Sequence, residues 1–557
     1  MTRWLPVLLL AIVHLLVAWP GAGERGIIAE EVQPYLRHYP KVLEESAEVR
    51  FAAPYDDPAL LVAIDAGRPV TPRWVGTTHW PELAFHGPDR IYPLLVRGHQ
   101  TALGSAPGLA FGPWLGGGIA GVRRASVLLG LALVLLAYAL ARRLGASQRV
   151  ATLVGLACAL SPGLWFFART GYGFELGSRV LMLTTLVVAA PLQRIGARRA
   201  IGIGLLFALA VLARATIAVT LAPPLLLLLF HPRRFPGFRG VAGILGLGGA
   251  LPLLAFVVVK ALLPLRAAPA ADLALTSLSG RTLVALPTAW MQLAWVVDPR
   301  VVLSALVGGA ASARPATLAA LLGAVVTGVA LVRWWRGTAR EGERLFVAAL
   351  LGNAILGAFL YGDPLQFQLG MALEPLFVLA VAVQLDGVSI RGRTPVFVAV
   401  AALFVARIAT LASLAAEQRR TDNPMLSGRA QRAVVAALAT VPGETVVTTA
   451  YDHVGVLESW TGEALRPIHA WKLLKVAGAD DAVAVERWRA IFAARRVCHV
   501  LLGRAQSLVE GPFTDHARVS RALLAVATAQ GKTLVRTPIV GDGGGVVFEL
   551  VKVSPCE

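Results

Sequence analysis

The stretch VRRASVLLGLALVLLAYALARRLG, residues 122–145, is a run of small and aliphatic residues with an arginine pair near each end. Its apolar part, 125–141, is about as long as an α-helix must be to cross a hydrocarbon core of roughly 30 Å. A helix satisfies its backbone N–H and C=O groups within one segment, which a lipid environment requires. The stretch therefore predicts a transmembrane helix.

The same kind of run recurs along the whole chain. The 557 residues are 56% hydrophobic and only 15% charged, and the mean hydropathy is +0.66, a composition that excludes an ordinary soluble domain. The first run could be a cleavable secretory signal, because it has a basic start and a small-residue end; the many later runs favour an uncleaved helix. About eleven transmembrane helices are predicted, at residues 4–20, 125–141, 150–167, 176–193, 200–213, 215–230, 240–263, 316–332, 345–361, 369–385 and 395–415.

The formal net charge of +19 comes from arginines clustered in short loops between these runs. This distribution does not form one basic face, so it disfavours nucleic-acid binding and indicates topology instead. By the positive-inside rule, five loops and the amino terminus are predicted to be cytoplasmic. The chain is therefore predicted to be a multi-pass protein of the cytoplasmic (inner) membrane. The loops contain Arg142, Arg143 and Arg149; Arg194, Arg198 and Arg199; Arg233, Arg234 and Arg239; Arg333, Arg336, Arg340 and Arg344; and Arg391 and Arg393.

Two domains are predicted: a transmembrane domain over 1–415, which includes a first outer loop over 21–118, and a soluble outer domain over 416–557. In the second domain, helical spacing alternates with the buried-strand patterns ETVVTTA, CHVLLG and GGVVFELVKV, which predicts a small α/β fold. Cys498 and Cys556 flank two of these strands, and we predict that they form a disulfide in an oxidising compartment.

Ionisable residues at the outer ends of the helices are the candidates for chemistry, because charge at a membrane boundary is costly. Glu30 and Glu31 follow the first helix by about ten residues. One carboxylate of such a pair could act as a general base while its neighbour orients a partner group. A solvated loop is the alternative for both residues.

Four further groups have a functional and a structural interpretation. Glu175, in ARTGYGFELGSR, lies between Arg169 and Arg179 and could line a cavity or form a buried salt bridge. Arg214 could bind a lipid phosphate or merely extend to head groups. Glu374 enters an apolar helix, where pairing within the bundle is the alternative to a site. The outer start of the second helix carries further basic residues that suit lipid phosphate contact or anchoring: Arg97, His99, Arg123 and Arg124.

Taken together, these segments resemble the GT-C glycosyltransferases of the protein O-mannosyltransferase and aminoarabinose-transferase type. The resemblance includes AEEVQPY (29–35), RGHQTALGSAPGLAFGPW (97–114), the double-basic helix end at 142–143, LACALSPGLWFFARTGYGFELGSRV (156–180) and GLLFALAVLARATIAVTLAPPLLLL (204–228). It covers residues 1 to about 230 and the outer carboxy-terminal domain. The expected fold is therefore a GT-C-like α-helical polytopic membrane protein with a small α/β outer domain.

The resemblance implies transfer of a sugar from a polyprenyl-phosphate donor to a lipid, glycan or protein acceptor on the outer face. It assigns Glu30 as catalytic base with Glu31 beside it, and Glu175 as the acidic residue of the second outer loop. Arg169, Arg214, Arg97 and His99 are the candidate substrate-binding residues. The family's pair is usually Asp-Glu, whereas this chain has Glu-Glu.

Two alternatives to a transferase stay open from the sequence. A transporter or flippase of a lipid-linked or anionic substrate would carry charges near the middle of several helices, and a scaffold would act through the outer domain without catalysis. No cofactor and no metal site is predicted; a divalent metal ion is compatible with the sequence but not indicated by it. The expected partners are the donor, the acceptor and membrane lipid, with no nucleic acid.

Overall fold

A computed structural model describes most of the helical part of the chain and parts of the carboxy-terminal third. Continuous descriptions cover residues 4–23, 106–116, 118–170, 173–254 apart from three positions, 313–356, 368–386, 393–420, 516–540 and 546–555. Short pieces are described between 292 and 297 and between 433 and 503.

Helices dominate the described residues up to 420, and one apolar core formed mainly by leucine, alanine, valine and phenylalanine side chains runs from the first of them to the last. A 3-10 turn, Gly112–Leu115, follows the helix that ends at Phe111, and π-helical turns extend the helices that end at Gly243 and Leu351. The helices are α1 (Leu5–Ala18), α2 (Ala106–Phe111), α3 (Gly118–Arg143), α4 (Gln148–Ala159), α5 (Pro162–Ala168), α6 (Gly173–Ala189), α7 (Ala197–Ala213), α8 (Ile217–Leu229), α9 (Gly237–Gly243), α10 (Ala313–Trp335), α11 (Glu341–Leu351), α12 (Gln368–Asp386) and α13 (Arg393–Arg420).

Two of the described helices are long and apolar enough to cross a membrane, Ala120–Arg143 within α3 and Gly237–Leu254, which starts with α9. The bent pair α4 and α5 passes the same test as one broken span. Shorter apolar helices include Leu5–Ala18 and Ile217–Leu229. The helical membrane architecture predicted from the sequence is therefore present, and the count of about eleven spans stays a prediction.

The break between α4 and α5 bends the chain by 56° and has a local cause. Pro162 has no N–H to continue a helix, and the residue before a proline is pushed toward extended backbone; Ser161 has φ −69° and ψ 121°. The Ser161 hydroxyl then accepts a hydrogen bond from the N–H of Leu164 at 3.0 Å and caps α5. The serine-proline pair thus starts a new helix direction inside the bundle.

The basic loops that the sequence places on one side of the membrane meet at one end of the bundle. Arg234 pairs with Glu341 at 2.7 Å, and its carbonyl accepts from the N–H of Ile195 at 3.3 Å. Arg340 pairs with Asp386 at 3.0 Å. Arg143 and Arg234 both act electrostatically on Arg199. This convergence supports the predicted topology, whose assignment to the cytoplasmic side stays a prediction.

The carboxy-terminal residues contain a five-stranded mixed sheet of β1 (Thr445–Val447), β2 (Ile468–His469), β3 (His499–Gly503), β4 (Thr533–Val540) and β5 (Val546–Ser554). Its order is β2-β1-β3-β5-β4, parallel on the β1 side and antiparallel around β5. One helix, α14 (His516–Ala529), precedes β4. The three strands predicted from sequence are present, and β2 and β4 were missed. The arginine and proline in TLVRTPIV hid β4, which is a largely exposed edge strand.

The structure describes only one of the two cysteines that are predicted to form a disulfide. Cys498 is disulfide-bonded, whereas Cys158 is a buried free thiol in α4. The predicted partner of Cys498, Cys556, lies outside the described residues. The backbone of Cys498 also accepts a hydrogen bond from the N–H of Val553 at 2.9 Å, which joins it to β5.

His499 should make the sheet sensitive to mild acid. Burial in β3 lowers the pKa of its imidazole, and the neighbouring ammonium of Lys552 on β5 lowers it further. The unfolded chain holds the proton more tightly, because its imidazole has a reference pKa of about 6.5. The free energy of unfolding is therefore unaffected by His499 protonation above that pH and decreases as the pH falls below it. Hydrogen-exchange protection of the β3 and β5 peptides, corrected for intrinsic rates, should fall by up to about tenfold per pH unit.

The matched control for this pH dependence is His499→Gln, which keeps a polar side chain but does not titrate. Its protection should change less between pH 7.5 and pH 5.5 than that of the parent protein. An unchanged pH profile in His499→Gln would show that another group is responsible.

Candidate active site at the helix ends

Several of the predicted site residues lie beyond what the structure describes. Glu30, Glu31, Arg97 and His99 are outside the described residues. Glu175 is within α6, two residues after the helix begins. These five assignments therefore stay predictions, and the described part of the candidate site consists of the helix ends that carry Arg169 and Arg214.

Arg169 lies at the end of α5 and is 2% exposed. One of its terminal nitrogens donates to the carbonyl of Pro20 at 2.6 Å. Its guanidinium also stacks over the Trp165 ring, 4.3 Å from the ring centroid. A guanidinium held in this way has a fixed position at the point where the chain leaves α1.

Two more side chains bind carbonyls at the same place. The indole N–H of Trp165 donates to the carbonyl of Val17 at 3.1 Å, and the amide of Gln418 on α13 donates to Gly21 at 3.4 Å. The last carbonyls of a helix have no partners within the helix. Residues from α5 and α13 thus bind backbone carbonyls at and just beyond the end of α1, where the segment predicted as the first outer loop begins.

Arg214 lies at the matching end of α7. Since α7 begins next to the basic loops, its last residue Ala213 is at the opposite end of the bundle from them. Arg214 is 5% exposed and has extended backbone. The backbone N–H of Arg214 donates to the carbonyl of Ala210 at 3.0 Å, and the backbone carbonyl of Arg214 accepts from the N–H of Ile217 at 3.0 Å. The turn between α7 and α8 therefore holds this arginine inside the protein.

The start of α3 carries two more basic residues at this end of the bundle. Arg123 is 1% exposed. Arg124 donates to the carbonyl of Leu115 at 2.6 Å and so fastens the 3-10 turn before α3. Gly116, which has φ 113°, makes the turn that allows this approach. The contact of Arg124 is a structural one.

A buried ionic cluster lies deeper in the bundle, and it includes a residue that the sequence analysis missed. Glu374 on α12 pairs with Arg407 on α13 at 3.1 Å and accepts from the Ser161 hydroxyl at 2.8 Å. Arg179 on α6 is close enough to act electrostatically on the same carboxylate, and Arg407 also donates to the carbonyl of Ala157. The signal for Arg407 was available: it is the single charge inside the apolar run 395–415.

The depth of this cluster separates it from the predicted site. Glu374 is twelve residues from Asp386, where α12 ends at the basic loops, which is about 18 Å along a helix. Arg407 is fourteen residues from the start of α13, or about 21 Å. The two distances are similar, so the pair lies well inside the helical bundle, where both side chains are buried. Of the two interpretations of Glu374, the structure has the paired one.

The similarity of this chain to known proteins lies in its fold. No family model matches the sequence, and no curated protein matches it. Among solved structures, ArnT from Cupriavidus metallidurans in the apo state matches over 99% of this chain and 98% of its own, with 13% identity and a TM-score of 0.54. The chain has the GT-C fold. The resemblance found in the sequence is thus confirmed for the fold.

Other GT-C structures match less well. The oligosaccharyltransferase from Archaeoglobus fulgidus matches over 89% of this chain and 69% of its own, with 13% identity and a TM-score of 0.46. The arabinofuranosyltransferase AftD from Mycobacteria matches over 99% of this chain and 40% of its own, with 16% identity and a TM-score of 0.42. At these identities the comparison concerns the GT-C fold and leaves the substrate open.

Proposed function

We propose that this chain is a membrane glycosyltransferase that takes a sugar from a polyprenyl-phosphate donor and transfers it to a lipid, glycan or protein acceptor on the outer face of the cytoplasmic membrane. The observation that carries the proposal is the GT-C fold shared with ArnT along nearly the full length of both chains. ArnT from the same source has also been crystallised with undecaprenyl phosphate. That ligand is the carrier that a donor of the proposed class would release.

The proposed topology has about eleven helices within 1–415, a cytoplasmic amino terminus and an outer α/β domain over 416–557. The convergence of the basic loops at one end of the bundle supports it. A donor on a lipid phosphate can present its sugar only at the membrane face. The catalytic groups must therefore come from the helix ends and the first loop at the opposite end, where Arg169 and Arg214 lie.

In the proposed reaction the acceptor hydroxyl oxygen forms a bond to the anomeric carbon. Glu30 takes its proton, Glu31 orients the acceptor, and the bond from the anomeric carbon to the phosphate oxygen breaks. Negative charge grows on the departing polyprenyl phosphate, and Arg169 or Arg214 would stabilise it there. Glu175, Arg97 and His99 would complete the substrate site. Buried guanidinium groups suit this task because their charge persists at any relevant pH.

The buried cluster bears on the transporter alternative, which predicts charges in the middle of helices. Glu374 and Arg407 are such charges. They bind each other, however, and Ser161 occupies the second carboxylate oxygen. A carboxylate engaged in this way is suited to joining helices, so this pair gives the transporter alternative no support.

A transfer assay tests the proposal. Purified protein in lipid nanodiscs would be incubated with a panel of polyprenyl-phosphate sugars, and the released polyprenyl phosphate would be measured by mass spectrometry. We expect release in the presence of a suitable acceptor, or slow hydrolysis without one. Release that is equal with boiled protein, or absent for the whole panel while the same donors move across proteoliposome membranes, would contradict the transferase and favour the transporter.

A further inference from the structure

A groove of about 550 Å³ runs along the interface of α7 and the long helix that starts with α9, and nothing in the proposed reaction uses it. Small and aliphatic residues of both helices form its walls. Ile201 lines one side, and Gly243, Gly246 and Ala250 line the other. Arg239 lies at one end of the groove and Leu254 near the other.

The groove exists because the two helices touch along one line and separate beside it. A Cβ atom on Gly204 would collide with the carbonyl of Ile244, and one on Gly248 would collide with the carbonyl of Ile201. These two positions bring the backbones into contact. At Gly246, by contrast, a Cβ atom would meet no heavy atom within 4 Å, so this residue leaves the space open.

The backbone of the second wall is unusual in this region. Residues Ile244–Ala250 form a π-helix, a rare conformation that is frequent at functional sites. Gly246, Leu247 and Ala250 all lie on it and all line the groove. Leu245, Leu247, Leu251 and Leu254 are each more than half exposed, so the surroundings of the groove are apolar as well.

Cations collect at the end of the groove that faces the basic loops. Arg239 is exposed and lines the opening. Arg198 is exposed and directly follows Ala197, another lining residue. A terminal nitrogen of Arg194 lies 3.9 Å from where a Cβ on Gly237 would be, which places this exposed arginine at the start of α9. An apolar groove with arginines at its membrane-surface end matches a lipid with an anionic head group.

The length of the groove agrees with a lipid of the adjacent leaflet. The fifteen residues from Arg239 to Leu254 cover about 22 Å of helix, and half of a hydrocarbon core of roughly 30 Å is about 15 Å. One acyl chain of a phospholipid whose phosphate contacts Arg239 would therefore fit within the groove. The proposed sugar donor has its phosphate at the opposite face, so it is a different ligand.

We propose that this groove is a binding site for an anionic phospholipid, with the phosphate on Arg239 and one acyl chain along the π-helix. The site is separate from the candidate active site, and its existence does not depend on the proposed transferase activity. Gly246→Leu would fill the groove without disturbing the contact between the helices, and Arg239→Gln would remove the cation.

Native mass spectrometry of the purified full chain with added phosphatidylglycerol or phosphatidylcholine of the same acyl composition tests the site. The parent protein should bind more phosphatidylglycerol than phosphatidylcholine. Arg239→Gln should lower phosphatidylglycerol binding by about fivefold, the effect of about 1 kcal/mol for one cation near a membrane surface. Gly246→Leu should lower phosphatidylglycerol binding at least as much, because the leucine side chain would occupy the space of the acyl chain.

Matched controls separate the site from general effects of charge and bulk. Gly202→Leu adds the same side chain to open space on α7, away from the groove lining, and Arg336→Gln removes an exposed arginine at the end of α10. Both should bind phosphatidylglycerol as the parent protein does. Equal binding of the two lipids by the parent protein, or losses in the controls as large as in the variants, would overturn the proposal. Unchanged gel-filtration profiles would show that the variants are folded.

Discussion

Glu30→Gln should lower the rate of sugar transfer by about 10²–10⁴-fold, the usual contribution of general acid–base catalysis. Glutamine keeps the size and polarity of the side chain but cannot take the proton of the acceptor hydroxyl. The loss should therefore appear in kcat, with little change in the donor concentration needed for half-maximal rate. Initial rates with the donor identified by the transfer assay measure it.

Neighbouring carboxylates provide the controls for this prediction. Glu31→Gln should lower the rate less than Glu30→Gln, because its proposed role is to orient the acceptor. Glu24→Gln, which removes a carboxylate from the same loop, should keep the parent rate. All three proteins should have the parent's thermal midpoint. Full activity of Glu30→Gln would remove this residue from the mechanism, and similar losses in all three would indicate an effect of loop charge alone.

Arg407→Met should destabilise the helical bundle by about 3–5 kcal/mol, the cost of leaving one member of a buried ion pair without its partner. The substitution leaves the Glu374 carboxylate with the Ser161 hydroxyl and the nearby charge of Arg179 but without its 3.1 Å ion pair. The consequence should be measurable as a lower thermal midpoint or faster inactivation in detergent. Transferase activity at low temperature should be affected less than stability.

Two further variants test whether the pairing itself causes the loss. Glu374→Leu combined with Arg407→Met removes both charges, so its destabilisation should be smaller than the sum of the single changes. Asp386→Asn breaks the ion pair with Arg340. The side chains of Asp386 and Arg340 are 40% and 41% exposed. An exposed pair contributes about 0–1 kcal/mol, so this variant should unfold near the parent midpoint. Additive losses in the double variant would show that the pair contributes nothing as a pair.

The sequence singled out candidate site residues but not their contacts, and the reason lies in what each residue binds. Arg169 and Arg214 were proposed as site residues because charges next to apolar runs stand out in a sequence. Their burial was not predicted, and neither was the partner of the Arg169 guanidinium, since the backbone carbonyl of Pro20 carries no signature in the side chains. The pairing of Glu374 with Arg407 joins residues far apart in sequence, and only packing of α12 against α13 brings them together.

The sequence by itself determined the class of this protein. Long apolar runs must form helices in a membrane because the backbone has no other hydrogen-bond partners there, and the arginine loops order those helices by side. The order of the outer segments was sufficient to indicate the GT-C fold. The prediction of one helix over 150–167 was wrong, because Pro162 acts on its own backbone and on Ser161 before it and so divides the span into α4 and α5.

Only the tertiary structure decided which polar groups meet and where the bundle opens. Arg169 and Gln418 bind the end of α1 because α5 and α13 both pack there. The groove beside Gly246 depends on two other glycines that set the distance between α7 and the helix that starts with α9. Local patterns fix the conformation of each segment, but contacts between segments depend on side-chain shape across the interface, which no single stretch of sequence contains.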